Sequence, residues 1–219
     1  MQINTVIFDM DGLLIDSEPF WQEAGKETLE YYGASLNEDQ YQRTTGLRTE
    51  EWIDFWFNYF QLDKSKAPEA TEIIIQKAIE KIGQKGQPFD GATTIIQTVQ
   101  EQGFKTGLAT SSPLALVNVV LEKLNLNQPL DALTSAEKLP FGKPHPQVYL
   151  NCAEALNAKP LECVAFEDSF FGMIAAKAAR MKCIVIPTPS DFHALKWNAA
   201  DLILENLHSF KIEQLNRMQ

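Results

Sequence analysis

Short apolar runs alternate with longer amphipathic stretches along much of this chain, and one stretch near the start sets the pattern. Val6-Ile7-Phe8, β-branched and aromatic, runs straight into Asp9-Met10-Asp11-Gly12, as a buried strand delivering acids to its carboxyl end would do. Alternate side chains of an extended chain share a face, so Asp9 and Asp11 can address one small volume before Gly12 lets the backbone turn away. From about residue 17 to 86 the periodicity is helical throughout. Pro19 suits the first turn of a helix running to about Tyr32 and ended by Gly33, and Asn37, Thr49 and Pro68 offer later helix starts. Gly83, Gly86 and Pro88 then read as a linker. Past it, strands are expected at Thr106–Ala109, Ala132–Thr134, Val164–Phe166, Ile184–Ile186 and Leu202–Leu204. Helices fill the gaps, among them Leu114–Leu124, Gln147–Leu156 and Gly172–Ala179.

Alternation of this kind predicts an α/β fold: a Rossmann-like parallel sheet covered by helices on both faces, its first strand supplied by the N-terminus. The helical block is then an insertion. The expected organisation is an α/β core domain of residues 1–16 and 87–219 with an inserted α-helical cap domain of residues 17–86. Because it leaves just after the acid pair, the cap would hang over the carboxyl ends of the strands, where such sheets bind ligands. No repeat or low-complexity segment interrupts the pattern.

Composition narrows the function classes. At 219 residues, 45% hydrophobic and 22% charged, the chain is ordinary for a folded globular protein. Its net charge of −10, from 29 acids against 19 bases with no basic block, argues against a nucleic-acid partner. No run approaches a membrane span and no charged-then-apolar leader opens the chain, so a cytoplasmic protein without a membrane partner is expected. Cys152, Cys163 and Cys183 are odd in number and lack Cys-x-x-Cys spacing, which disfavours a disulfide framework and a structural zinc site.

Close carboxylates repel, so ionising both Asp9 and Asp11 calls for a cation or several donors. Three further clusters stand at predicted strand ends. Thr110-Ser111-Ser112-Pro113 offers hydroxyls and amides to an oxyanion or phosphate, although Ser112-Pro113 equally fits an N-cap followed by proline. Gly142-Lys143-Pro144-His145-Pro146 stiffens and aims a lysine, where most loop lysines are simply solvated. Glu167-Asp168-Ser169 ends a buried strand in a second acid pair, where Asp168 or Ser169 also suits a helix cap. His145 fits a turn-shaping role, His193 and His208 lack a partner pattern, and Asp90-Gly91 fits a turn.

The order of these clusters, acid-x-acid-Gly, then Thr/Ser, then Lys, then Glu-Asp, resembles the haloacid dehalogenase superfamily with an inserted helical cap. The likeness spans essentially the whole chain. Within the superfamily, Asp9–Pro19, Gly46-Leu47-Arg48, Ser135–Leu150 and Glu167–Met181 most resemble its sugar-phosphate phosphatase branch. That resemblance implies a Mg2+-dependent phosphatase whose partner is a small phosphorylated metabolite: a hexose or hexitol phosphate such as 2-deoxyglucose 6-phosphate. A monomer is expected. It makes Asp9 the nucleophile, Asp11 the general acid and base, and Lys143 and Thr110 the stabilisers of the transferring group. It gives the metal to Asp9, Asp168 and the Asp11 carbonyl, with Glu167 in or just outside the coordination sphere. Ser111, Ser112, Arg48 and Glu18 become substrate contacts. Gln147 stands where many relatives carry an acid, a departure expected to touch helix capping rather than chemistry.

Neighbouring readings differ at particular residues. Dehalogenases lack a second aspartate at the position of Asp11. Mutases resembling β-phosphoglucomutase share both aspartates but carry a histidine on the first cap helix, where this chain has Phe20-Trp21-Gln22. Phospho-accepting switch domains order their acids and lysine differently and have no such insertion. The aromatics Trp52, Phe55, Trp56, Phe57, Tyr59 and Phe60 have the helical spacing of cap core, with sugar stacking as the alternative. Cap movement would need hinges near Ile15–Ser17 and Lys85–Phe89.

Overall fold

The computed structural model describes residues 2–44 and 47–218. Its strands are β1 (Thr5–Phe8), β2 (Lys105–Thr110), β3 (Ala132–Ser135), β4 (Cys163–Glu167), β5 (Lys182–Val185) and β6 (Leu202–Ile203). They form one parallel sheet in the order β3-β2-β1-β4-β5-β6, so the N-terminal strand lies at its centre. Every predicted strand is present, with its ends set a residue or two from where the apolar run alone puts them. Ladder hydrogen bonds can continue where the apolar run stops.

Side-chain alternation sends β1 both ways. Val6 and Phe8, with Leu108, Val164 and Phe166, face helices α5 (Ala92–Glu101) and α6 (Leu114–Leu124), while Ile7, Ala109, Ala165 and Val185 face α7 (Gln147–Ala155) and α8 (Phe170–Ala178). The result is the doubly covered sheet that the strand-helix alternation predicts. Phe8 and Phe166 sit in register on adjacent strands with ring centroids 5.2 Å apart, locking β1 to β4. A short helix α9 (Glu213–Arg217) completes the first face through Leu215. The three cysteines are buried and unpaired, in keeping with the absence of a disulfide framework. Among the described residues no helix is long and apolar enough to cross a membrane.

Between β1 and α5 come α1 (Glu18–Tyr31), α2 (Glu38–Gln42), α3 (Thr49–Tyr59) and α4 (Ala67–Lys85). Asn37 and Gln40 start α2 with a reciprocal capping box, and Gly33 at φ 81 follows α1. The chain leaves the sheet through a turn at Gly12 (φ 77). It returns alongside its own exit, the Asp16 N–H bonding the Gln87 carbonyl (3.0 Å) and the Phe89 N–H the Leu14 carbonyl (3.0 Å). The linker is shorter than expected: Gly83 lies inside α4. Burial of Ile82 outweighs the roughly 1 kcal/mol helix penalty of a glycine, and α4 stops at Gly86, where a Cβ would fall 2.7 Å from the Ile82 carbonyl.

The insertion is held mainly by its aromatic centre. Trp56 and Phe57 are buried, and the Trp56 indole donates to Thr44 Oγ1 (3.1 Å). Trp52 packs on Gly25 of α1, where a Cβ would come within 2.9 Å of the indole. Phe60 is partly buried against the same cluster. Helical spacing therefore reads these four correctly as core, but Phe55 (47% exposed) and Tyr59 (60% exposed) lie on the solvent side of α3. Glu27 also bridges Lys77 and Lys81 of α4. These pairs are partly exposed, worth about 1 kcal/mol or less each, so apolar packing dominates. Trp56→Ala is expected to destabilise the protein by about 3 to 5 kcal/mol in urea unfolding; a loss below about 1 kcal/mol would show that the indole is not what holds the insertion.

Candidate active site

Parallel register brings the carboxyl ends of β1 and β4 side by side. Asp9 follows Phe8, its N–H donating to the Phe166 carbonyl (2.9 Å), and β4 closes on Glu167 with Asp168 next. The loop after β3 brings in Lys143, 3% exposed, whose Nζ donates to Asp9 Oδ1 (2.5 Å), to Glu167 Oε1 (2.6 Å) and to the Tyr149 hydroxyl (3.3 Å). All three ammonium protons are thereby engaged. Tyr149, in the first turn of α7, donates to the same Glu167 oxygen (2.5 Å), while Glu167 Oε2 accepts from the Ser169 N–H (3.2 Å) and hydroxyl (3.0 Å). Ser169 also caps α8 by accepting from the Gly172 N–H (3.0 Å), so the cap belongs to it rather than to Asp168. Gly172 is required here, since a Cβ would lie 1.9 Å from Glu167 Oε1.

Asp168 is the odd member. Its Oδ1 is buried without a hydrogen-bond partner among the described residues, and Asp9, Glu167 and Asp168 each offer a carboxylate oxygen within 4.8 Å of the others. The Asp9 carboxyl is raised to about 8, chiefly by burial and further by Glu167 and Asp11, against the opposing pull of Lys143. Burial, with Asp9 and Glu167 beside it, raises Asp168 well above the carboxylate range. Burial acts against the charge of Lys143, yet Asp9 and Glu167 together hold it above the lysine range. One ammonium among three carboxylates, two of them buried and Asp168 partly so, leaves the cluster short of positive charge. Hard oxygen donors in that state suit a divalent cation of the magnesium or calcium type.

Asp11 faces the same cavity from the other side. Its Oδ1 accepts from Ser17 Oγ (2.7 Å) and the Trp21 indole (3.0 Å), both at the start of the insertion. Its Oδ2 accepts from Ser112 Oγ (2.7 Å) and, at 3.4 Å, from Thr110 Oγ1 at the end of β2. Thr110 Oγ1 in turn accepts the Ser112 N–H (3.0 Å). Ser112 is thus not the N-cap that its proline neighbour suggests. Pro113 holds the cap position of α6, and Glu137 from the next loop accepts the Leu114 N–H (3.3 Å). The Ser111 hydroxyl is buried without a partner among the described residues.

These side chains floor a cavity of about 100 Å3 whose roof comes from the insertion: Glu18, Trp21, Tyr41, Arg48, Trp52 and Ile74. The sequence matches the family described as haloacid dehalogenase-like hydrolase over residues 6–186. The chain belongs to the haloacid dehalogenase-like hydrolases. Hexitol phosphatase B of Escherichia coli (strain K12) is 41% identical to it over 215 residues, 98% of this chain and 97% of that protein. Among solved structures, the fold matches CbbY from Rhodobacter sphaeroides in complex with phosphate, with a TM-score of 0.87, 22% identity, and 98% and 100% of the two chains covered. It also matches a β-phosphoglucomutase from Clostridium difficile, with a TM-score of 0.86, 22% identity, and 99% and 97% covered.

In this hydrolase the residues singled out from sequence converge: Asp9, Asp11, Thr110, Ser111, Ser112, Lys143 and Asp168 all line one cavity, and Glu167 lies behind Lys143. Glu18 lines it too, paired with Tyr41, whose hydroxyl is raised well above its usual range by burial and then by the Glu18 charge and hydrogen bond. Arg48 borders the cavity, but its terminal nitrogens bond the carbonyls of Ala136 (3.2 Å), Leu139 (2.5 Å) and Pro140 (3.4 Å), and only Nε is buried without a partner. Gly46, of the predicted cap loop, lies outside the described residues. His145 shapes its turn as expected: its N–H bonds the Gly142 carbonyl and its Nδ1 accepts the Gln147 N–H (3.3 Å). Gln147 itself bonds Asn151 and takes no part in capping.

Sequence reasoning missed Tyr149, Trp21, Ser17 and Tyr41. For Tyr149, Trp21 and Tyr41 the available signal was a polar tip on an aromatic side chain in a helix; Ser17 precedes α1 and carried no such signal. Because Asp168 is a partly buried carboxylate among like charges, Asp168→Asn is expected to raise the melting temperature of the metal-free protein while removing any rise on adding magnesium. A variant that melts lower without metal yet keeps the magnesium-dependent rise would overturn this account of the cluster.

Proposed function

We propose that this hydrolase is a Mg2+-dependent phosphoric monoester hydrolase acting on small sugar phosphates through an aspartyl phosphate on Asp9. The observation that carries this reading is the floor of the cavity. A carboxylate at a strand end faces Lys143, an unpartnered Asp168 oxygen and an unpartnered Ser111 hydroxyl, as an attacking group, a cation site and a phosphoryl contact would. The orphaned Asp168 oxygen and the hard donor set fit Mg2+ held by Asp9, Asp168 and the Asp11 carbonyl. Bound there, the ion supplies charge neutralisation and Lewis-acid polarisation of the phosphoryl oxygens. Glu167, with two donors on each oxygen, serves the reaction chiefly by holding Lys143.

Asp9 attacks phosphorus, and Lys143 offsets the charge that builds on the transferring group. Thr110 and the Ser111 amide bind its equatorial oxygens. Asp11 protonates the departing sugar oxygen and then accepts a proton from the water that cleaves the acyl phosphate. Its surroundings decide which oxygen carries that proton. An indole N–H can only donate, so Trp21 keeps Oδ1 an acceptor, whereas the hydroxyls of Ser112 and Thr110 can turn to accept from a protonated Oδ2.

The roof points to the substrate. Glu18, Trp21, Trp52 and Arg48 Nε offer a mixed polar and aromatic wall suited to a polyhydroxyl chain or ring beyond the phosphate. The 41% identity to a protein named hexitol phosphatase B supports that class. Hydrolysis is favoured over phosphoryl shuffling between sugar positions because Trp21, beside Asp11, has no lone pair with which to relay protons.

Incubation with hexose and hexitol phosphates is expected to release inorganic phosphate only when magnesium is present, with no isomeric hexose phosphate. Asp9→Asn should cut that release by more than about a thousandfold with the circular-dichroism spectrum unchanged. Turnover near the wild-type rate in this variant would overturn the nucleophile assignment, and an isomeric product would shift the reading to a mutase.

A further inference from the structure

The loop that delivers Lys143 has no regular secondary structure, and the insertion grips it. Arg48, the N-cap residue of α3, donates to the carbonyls of Ala136, Leu139 and Pro140. One turn further along α3, Glu51 accepts the Gly142 N–H through Oε1 at 3.1 Å, and the same oxygen lies 3.6 Å from Arg48 Nη2. Contact is close enough that a Cβ on Gly142 would sit 3.0 Å from both Arg48 Cβ and Glu51 Oε2. Lys143 follows immediately and reaches Asp9 and Glu167.

We propose that Glu51 is a positioning residue that ties the insertion to the Lys143 loop, so that Lys143 is aligned on Asp9 only while the insertion is seated over the cavity. The proposal rests on the reading of Lys143 given above. Three features support it. Glu51 does not line the cavity, so its contact serves the loop rather than a ligand. Its carboxylate is partly exposed, with 32% of the side chain accessible, so the bond is not needed to fill a core. The bond also falls on the residue next to Lys143, where a small shift of the backbone carries the ammonium out of reach of two carboxylates at once. Closure and charge neutralisation thereby become one event: a substrate that lets the insertion seat also brings the lysine to the nucleophile.

The test compares Glu51→Ala with Glu51→Gln, which keeps a carbonyl acceptor for the Gly142 N–H. Glu51→Ala is expected to lower kcat about tenfold on both a small aryl phosphate and a hexose phosphate, with KM changed by no more than about twofold. Its melting temperature should move by no more than about 3 °C, and the amides of Phe141, Gly142 and Lys143 should exchange faster with deuterium. Glu51→Gln should recover kcat to within about threefold and restore slow exchange. Unchanged kcat in Glu51→Ala, an effect confined to KM for the hexose phosphate, or a glutamine variant no better than alanine would each overturn the proposal. If the wild-type protein releases no phosphate from any ester, the functional reading fails instead. Deuterium exchange then decides the strap alone: faster exchange in Glu51→Ala but not Glu51→Gln supports it, and equal exchange in all three proteins refutes it.

Discussion

The Lys143 ammonium, buried and bonded at once to Asp9, Glu167 and Tyr149, is the contact around which the carboxyl end of the sheet is arranged. Breaking a buried ion pair by removing one partner typically costs about 3 to 5 kcal/mol, several times what a surface pair contributes. Neighbouring residues meet that demand. Gly172 leaves room for the Glu167 carboxylate, Ser169 and Tyr149 occupy its other lone pairs, and the register of β1 against β4 sets Asp9 beside it. The lysine does not satisfy the cluster completely, and the shortfall shows at Asp168, where burial and the neighbouring carboxylates disfavour the charged form and one oxygen has no partner among the described residues. Stability of the metal-free fold and readiness for a cation are in opposition at that one carboxylate.

The two halves of the cavity are built from different materials. Its floor rests on a sheet whose central strand is fully buried, so the positions of Asp9, Thr110 and Glu167 follow from backbone hydrogen bonds and register. Its roof hangs from two chain crossings that run side by side and bond to each other, and is held internally by Trp52, Trp56 and Phe57. Around the cavity the contacts between floor and roof are polar, Ser17 and Trp21 on Asp11 and Arg48 and Glu51 on the loop before Lys143, while away from it α4 packs on α6 within one continuous apolar cluster. Polar contacts of that sort are satisfied equally well by water when the halves separate, which is what a site that must admit a solute and then exclude solvent requires.

Legibility in the sequence followed the range of the forces involved. Strand and helix periodicity is a local property, and the strands, the order of elements and the run of helices between β1 and α5 were all readable from it. So were the residues converging on the floor, because in a parallel sheet each strand end is a fixed place and the acids, hydroxyls and lysine stand immediately after apolar runs. Boundaries set by competing local terms were less readable. Gly83 looks like a break but sits in α4, Ser112 looks like a cap but bonds Asp11, and Phe55 and Tyr59 share the spacing of core aromatics while facing water.

What the sequence determined by itself was therefore the doubly covered parallel sheet and the set of chemical groups at its carboxyl end, because both depend on residue type and on spacing along the chain. Tertiary structure alone decided the partners of those groups. Tyr149 on Glu167, Trp21 on Asp11 and Glu51 on the Gly142 amide join residues separated by many positions or by an unpatterned loop, and a hydrogen bond leaves no trace in periodicity. A donor and acceptor about 3 Å apart must be aligned by the packing of every element between them, and only the folded chain supplies that alignment.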